Sequence, residues 1–309
     1  VNTMRLLTFK GGIHPPYNKE YTNKVALAKA EAPKIVYIPL QQHIGAPAKP
    51  IVEKGDEVKK GQMIGQAGGF VSANVHSSVS GKVIDIAMHE VPGGMGQCIV
   101  IENDFKEELD ESVKPHGELE SLDPKEIIKI IQDAGIVGMG GATFPTHVKL
   151  SPPPDSNIDV IILNGAECEP LLRVDQQLMA VETKKILDAL KLCMEAVGAD
   201  KGVIALKGHY EAAINSFNQL LGEYEGISLH LLPNFYPAGD EQITVYEVTG
   251  RIVPEGGIPL QCGVIVSNVE TMLNIYNAYF EDKPVTDSYV TFAGEVKNHI
   301  TLKLPLGMT

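Results

Sequence analysis

The chain of 309 residues has no tryptophan, and aromatic residues make up only 6% of it. A broad base-stacking surface is therefore not indicated. Its four cysteines, Cys98, Cys168, Cys193 and Cys262, lie far apart and form no C-x-x-C pair. That argues against a zinc or iron–sulfur motif built from neighbouring cysteines, and it fits free thiols in a reducing compartment. No apolar run is long enough to span a bilayer. The start, VNTMRLLTFKGG, lacks the layout of a secretory signal, so the chain is expected to be soluble and cytoplasmic. A net charge of −13 argues against a nucleic-acid partner, and against a membrane surface unless another protein of an assembly supplies the contact. The nine histidines show no metal-ligand spacing, so each reads as a surface or structural group and no metal site is expected.

What is present divides along the chain. Residues 1–34 read as an arm broken by Gly11, Gly12, Pro15, Pro16 and Pro33. From 35 to 104 come short β-type runs, KIVYIPL, EVKKGQMIGQA, GKVIDIAM and QCIVIEN, parted by glycine and proline turns. PIVEKGDEVKKGQMIG followed by HSSVSGKVIDI resembles a biotinyl/lipoyl-type barrel-sandwich hybrid. Carrier domains of that type present a lysine on the hairpin between their halves. The matching stretch, GGFVSANVHSS, has none, so the domain is expected to be structural. Residues 105–122 read as an acidic linker. A helix is then expected, with Asp123 as N-cap, Pro124 in its first turn and Glu126 completing a capping box. Ile127, Ile128, Ile130, Ile131 and Ala134 form its apolar stripe, and Gly135 ends it.

Beyond residue 150 the pattern alternates. DVIILN (159–164), GVIALK (202–207) and ISLHLL (227–232) read as buried strands, with helices over 175–197 and 210–221 between them. That order implies a parallel sheet, whose ligands gather at the carboxyl ends of the strands. NGAECEP (164–170) and PNFYPAGDE (233–241) fall at those ends. Further helices are expected over 240–250 and 267–279, and the tail reads as two strands.

Between the first helix and the sheet lies GMGGATFPTHVKL, residues 138–150. It is neither a Walker loop nor the G-x-G-x-x-G fingerprint, since no G-K-[ST] ends it and Thr143 stands at the third glycine position. Such a cluster lets backbone approach a flat or anionic ligand, with Lys149 available to a phosphate; equally, it is a plain connector. Four carboxylates, Glu167, Glu169, Asp240 and Glu241, are placed at the sheet rim. Helix N-terminal charge, a divalent-cation site, and hydrogen bonding to ribose or attraction of a cationic ring all account for them.

These stretches carry a resemblance. GMGGATFPTHVKL is similar to the flavin loop G-R-G-G-A-G-F-P-T-G-x-K of the FMN-carrying, NADH-oxidising subunit of respiratory complex I. NGAECEPLLRVD is similar to its N-A-D-E-x-E-P-x-x-x-x-D, YPAGDEQ to Y-x-C-G-E-E-T, and SNVET to N-N-V-E-T, all in the same order. The nearer resemblance is to the RnfC family of the Rnf electron-transport complex, which adds LTFKGGIHPP and IPLQQHIGAPAKP ahead of a barrel-sandwich hybrid.

The resemblance implies an α/β chain. It would have an amino-terminal arm (1–34), a barrel-sandwich hybrid (35–104), the linker (105–122), a Rossmann-like parallel FMN/NADH core (123–285) and the start of an SLBB β-grasp domain (286–309). The chain is expected to be truncated ahead of a ferredoxin-like domain with two [4Fe-4S] clusters. FMN is expected along Gly138, Gly140, Gly141 and Ala142 with Lys149 nearby, hydrogen-bonded by Asn164 and Asn268 and flanked by Gly239, Asp240 and Glu241. NAD(H) is expected against Phe144, Glu167 and Glu169.

The implied function is electron transfer in a membrane-bound ferredoxin:NAD+ oxidoreductase. The expected partners are membrane and ferredoxin-type subunits, with ferredoxin met indirectly, and the expected location is peripheral at the cytoplasmic face. Two alternatives are a non-catalytic docking subunit and a related electron-transfer protein serving a soluble reductase. Four departures from the complex I pattern, Met139, Thr143, Ala166 and Pro152, imply weaker or differently posed nucleotide binding.

Overall fold

The computed structural model describes residues 12–22, 27–114 and 123–309. Most of the LTFKGG stretch of the arm, and residues 115–122 of the linker, lie outside the described residues. By contact the chain divides into two compact units. One comprises residues 26–151, 270–292 and 300–309, and the other residues 1–25, 152–269 and 293–299.

The first unit opens with β1 (Leu27–Lys29), β2 (Ile35–Pro39), β3 (Lys49–Pro50), β4 (Glu57–Val58), β5 (Met63–Gln66), β6 (Val75–His76), β7 (Gly81–Val91) and β8 (Gly94–Asn103). Strands β2-β8-β7-β4 form one antiparallel sheet and β3-β5-β6 a second. Side chains alternate across a pleat, so Val36 and Ile38 of β2 turn inward while their neighbours do not. They join Leu40, Ile64, Val83, Ile99 and Ile101 in one buried core. This is the two-sheet barrel expected from the glycine-punctuated runs.

Helix α1 (Pro124–Asp133) follows. The backbone N–H of Lys125 donates to Asp123 Oδ1 at 2.8 Å, and the Asp123 N–H donates to Glu126 Oε2 at 3.1 Å. This is the reciprocal cap read from the sequence. Ile127 and Ile131, four residues apart, bury one face. A short α2 (Thr146–Lys149) closes the glycine loop.

The second unit is built on β9 (Val160–Gly165), β10 (Lys201–Lys207), β11 (Ile227–Leu232) and β12 (Val264–Asn268), all parallel in the order β11-β10-β9-β12. Helices α3 (Val174–Val181), α4 (Thr183–Val197), α5 (Glu211–Leu220) and α6 (Glu241–Thr249) connect them. The single helix expected over 175–197 is two. At Glu182 the backbone leaves helical geometry, and the Thr183 hydroxyl donates to Met179 O at 2.7 Å. A hydroxyl bonded back into the preceding turn competes with the helix ladder. The sheet also has a fourth strand, β12, in VIVSN, whose last residues the sequence pattern places in a helix. Helix α7 (Val269–Glu281) starts directly after it and leads into the first unit, burying Met272, Leu273, Ile275, Ala278 and Tyr279. The two strands expected in the tail are β13 (Asp287–Phe292) and β14 (Ile300–Pro305), antiparallel to each other, with β1 parallel to β14.

Candidate functional site

The glycine loop is fixed at its base and open at its tip. Gly138 N–H donates to Phe144 O at 2.9 Å, and Thr146 N–H to Ile136 O at 3.0 Å. Met139 N–H donates to Thr271 Oγ1 of α7 at 2.9 Å. Between these ties Gly140, Gly141 and Ala142 are accessible, and a Cβ built on Gly141 meets no atom within 4 Å. Phe144 and Lys149 are half-buried. Thr143, where the resembled motif has glycine, takes φ +50°. It thus keeps the left-handed backbone a glycine adopts freely, at a cost of about 1–2 kcal/mol.

The barrel hairpin that lacks the carrier lysine is seated on this segment. A His147 ring nitrogen, Nε2, lies 3.1 Å from Phe70 O, and the two rings meet edge-on at 6.1 Å. Asn74 Nδ2 donates to Asp133 O at 3.3 Å, at the end of α1. His147, the one histidine inside the glycine loop, thus joins loop to hairpin. Burial pushes its imidazole below the usual range. Met139 and Thr143 also line a cavity of about 180 Å³ with Asn74, His43 and His76. Among the described residues the Nδ1 atoms of both histidines have no hydrogen-bond partner, and burial pushes His76 down to about 4. The cavity is large enough for several waters.

The rim of the parallel sheet carries the other candidates, and they differ in what they are doing. Asn164, at the end of β9, donates through Nδ2 to Gly239 O at 2.8 Å and accepts from Ala166 N–H at 3.2 Å. Its amide ties the two rim loops together and keeps one donor and one acceptor site in reserve. Asn268, at the end of β12, donates to Asp175 Oδ2 at 3.0 Å. Gly239 fits closely, since a Cβ there would lie 3.1 Å from Cys168 Sγ. Asp240 is the N-cap of α6, its Oδ1 accepting from Gln242 and Ile243 N–H groups at 3.1 Å each. Glu241 lies in the first turn of α6.

Glu167 and Glu169 part company. Glu167 is buried, accepting from Asp175 N–H at 3.0 Å and Gln176 Nε2 at 3.2 Å, and Lys19 Nζ lies 3.4 Å from its Oε2. Burial pushes the Glu167 carboxyl up and the Lys19 ammonium down, while their attraction works against both. Glu169 is exposed. The loop between them and α3 is strained, with Glu167 at φ +37° and Leu171 at φ +67°. Each such residue costs about 1–2 kcal/mol.

Sequence reasoning missed the groups that hold this loop. Lys19 Nζ donates to Glu167 O at 2.7 Å, and Tyr210 OH to Ala166 O at 2.8 Å. Leu171 N–H donates to Tyr17 O at 2.9 Å, and Thr22 Oγ1 to Leu171 O at 2.9 Å. Lys207, the last residue of β10, is 1% exposed. Its ammonium lies 4.1 Å from the centre of the Tyr17 ring. Burial lowers it to about 8, with Lys19 adding to the shift. A lysine ending an apolar strand reads from sequence as a solvated end, and no motif marks it.

Among the described residues no group of three or more His, Cys, Asp or Glu side chains could hold a metal ion. Among them, too, no helix is long and apolar enough to cross a membrane.

Two family models match the chain: the RnfC barrel sandwich hybrid domain over residues 7–106 and the Nuo51 FMN-binding domain over residues 131–277. The chain is 45% identical over 305 residues to the C subunit of the Na(+)-translocating ferredoxin:NAD(+) oxidoreductase complex of Acetobacterium woodii, covering 97% of this chain and 68% of that protein. It is 42% identical over 308 residues to the C subunit of the proton-translocating ferredoxin:NAD(+) oxidoreductase complex of Clostridium ljungdahlii, covering 98% and 67%. Cobalamin reductase PduS of Citrobacter freundii is 46% identical over 187 residues, 60% of this chain and 40% of its own length. A solved NAD+-reducing [NiFe]-hydrogenase in the air-oxidized state aligns over 59% of this chain and 37% of its own, at 23% identity and a TM-score of 0.49.

Proposed function

The chain belongs to the RnfC family of ion-translocating ferredoxin:NAD(+) oxidoreductase complexes, and on that premise we propose that it holds FMN and NAD(H) and relays electrons between NAD(H) and the other carriers of such a complex. The observation that carries the reading is the glycine loop. Its base is tied on both strands, its tip is accessible, and nothing stands within 4 Å of a Cβ at Gly141. Those features support reading the loop as a cradle for a flat ligand with an anionic tail.

Gly138, Gly140, Gly141 and Ala142 are assigned to backbone contact with the flavin, and Lys149 to its phosphate. Asn164 and Asn268 are assigned as amide partners of FMN, and the turn Gly239–Asp240–Glu241 as its flank. Phe144, Glu167 and Glu169 are assigned to NAD(H), with the buried Glu167 acting through the loop it shares with Glu169. When bound, FMN supplies hydride exchange with NAD(H) and single-electron exchange with iron–sulfur centres. The chain's own contribution is orientation and proximity, which need no side-chain acid or base. The two [4Fe-4S] clusters are assigned to a ferredoxin-like region outside this sequence. The membrane and ferredoxin-type subunits are the proposed partners, and the cytoplasmic face of the membrane the proposed location. The likeness to a cobalamin reductase favours a second reading, in which the chain is a related electron-transfer protein outside a membrane complex.

Substituting Gly141→Val tests the loop. Among the described residues no atom lies within 4 Å of a Cβ at this position, so the fold tolerates the change and a ligand in the loop would meet it. Anaerobic titration with FMN, then NADH, is expected to give flavin binding and bleaching in the wild type and at least tenfold weaker FMN binding in the variant. Unchanged FMN affinity would remove the flavin from this loop.

A further inference from the structure

The loop from Glu167 to Leu171 is held from below by groups that the assigned contacts do not include. Three come from residues 17–22: the Tyr17 carbonyl, the Lys19 ammonium and the Thr22 hydroxyl reach the backbone of Glu167 and Leu171. Lys19 and Thr22 are buried although one is charged and the other polar. A fourth group, Lys207, is buried at the carboxyl end of β10 and forms no ion pair among the described residues. Its charge acts electrostatically on Glu167, Cys168 and Glu169 of the loop, and its ammonium lies against the ring of Tyr17, whose carbonyl accepts from Leu171 N–H. Burying an ammonium without an ion pair is costly, and a core built only for stability would hold an apolar side chain here. The 167–171 loop has two non-glycine residues in the left-handed region, a conformation that persists only where its surroundings impose it.

We propose that Lys207, Tyr17 and Lys19 form an internal cationic clamp that holds the 167–171 loop in its strained shape and so sets the affinity of the site for nicotinamide nucleotide. These are positioning residues, acting through the loop. The inference rests on the NAD(H) reading above for its affinity arm and on the structure alone for its loop arm.

The clamp has a charge-dependent part. The titratable groups facing Lys207 are Tyr17 and Lys19, then Glu167, Cys168 and Glu169, and His209 and Tyr210 ahead of α5. Because Lys207 loses its proton near pH 8, the loop is expected to loosen as pH rises through that value. Lys207→Met removes the charge at every pH while filling the same space. Tyr17→Leu removes the covering ring and keeps the backbone bond to Leu171.

The experiment uses the full-length, FMN-loaded chain. Hydrogen exchange across 165–171 and the NAD+ dissociation constant are measured from pH 6.5 to 9. In the wild type, NAD+ affinity is expected to fall as pH passes about 8. In Lys207→Met, affinity is expected to be about tenfold weaker and flat with pH, with faster exchange in the loop and an unchanged or raised melting temperature. Tyr17→Leu is expected to fall between the two. Loop exchange equal to wild type in both variants overturns the clamp. If the wild type binds no NAD+, the NAD(H) reading fails, and loop exchange still decides the clamp. A lowered melting temperature together with normal loop exchange would make Lys207 a packing residue and also overturn the proposal.

Discussion

The seat of the barrel hairpin on the glycine-loop segment can be measured with a pair of glycines. Gly135 follows α1 at φ +69° and Gly198 follows α4 at φ +70°. Alanine at either position incurs the same left-handed penalty, about 1 kcal/mol. The surroundings differ. A Cβ at Gly198 meets nothing within 4 Å, whereas at Gly135 it would lie 2.3 Å from the carbonyl oxygen of Asn74. That oxygen is backbone, so the hairpin must lift to admit the methyl group. Lifting it breaks the Asn74–Asp133 hydrogen bond and strains the bond from Ala67 N–H to Asn74 Oδ1, each worth about 1 kcal/mol. Gly135→Ala is therefore expected to cost about 3 kcal/mol and Gly198→Ala about 1 kcal/mol, a difference of roughly thirtyfold in a local opening equilibrium. With two compact units a single unfolding free energy is ill-defined, so the assay is amide hydrogen exchange read in α1 and in α4. Equal costs at the two sites would mean that the hairpin does not bear on the end of α1.

Two further outcomes are expected. Asp123→Ala removes one side of the capping box and should cost about 1 kcal/mol, seen as faster exchange in the first turn of α1 and nowhere in the parallel sheet. Glu270 is buried, accepts from Tyr289 N–H at 3.1 Å, and is pushed up to about 7 by burial. The unfolded chain releases this proton near pH 4.5 and the folded chain holds it to about 7, so Glu270 removes stability progressively between those values. Glu270→Gln should abolish that fall and leave the opening of α7 on the order of 2–3 kcal/mol more costly at pH 8, measured by amide hydrogen exchange in α7 at pH 4.5 and 8 after correction for the intrinsic exchange rate.

The parts of the fold legible in the sequence are those where one local signal dominates. DVIILN, GVIALK and ISLHLL become β9, β10 and β11 because continuous apolar runs of that length suit strands buried on both faces. The α1 cap is legible because two side chains at fixed spacing, Asp123 and Glu126, satisfy backbone donors with no help from elsewhere. Strand β12 is hidden because its five residues run straight into α7, and the helical pattern of α7 masks the boundary. At the site, Asp240 fits the plain account of a rim carboxylate as a helix cap. Glu167 and Glu169 look equivalent at two-residue spacing. Only the arm folding back on the loop, 148 positions away in sequence, makes one internal and leaves the other exposed. Such a long-range pairing leaves no periodicity to read.

The hairpin at residues 67–74 also bears on how charge or chemical groups travel. Carrier domains of this shape work by motion: a tethered group swings from one centre to the next, and its transit slows as the medium thickens. Here the tip is held by His43, by His147 and by the end of α1. A barrel held in this way offers no arm to swing. Motion of this hairpin is therefore not expected to set the pace of anything relayed by this chain.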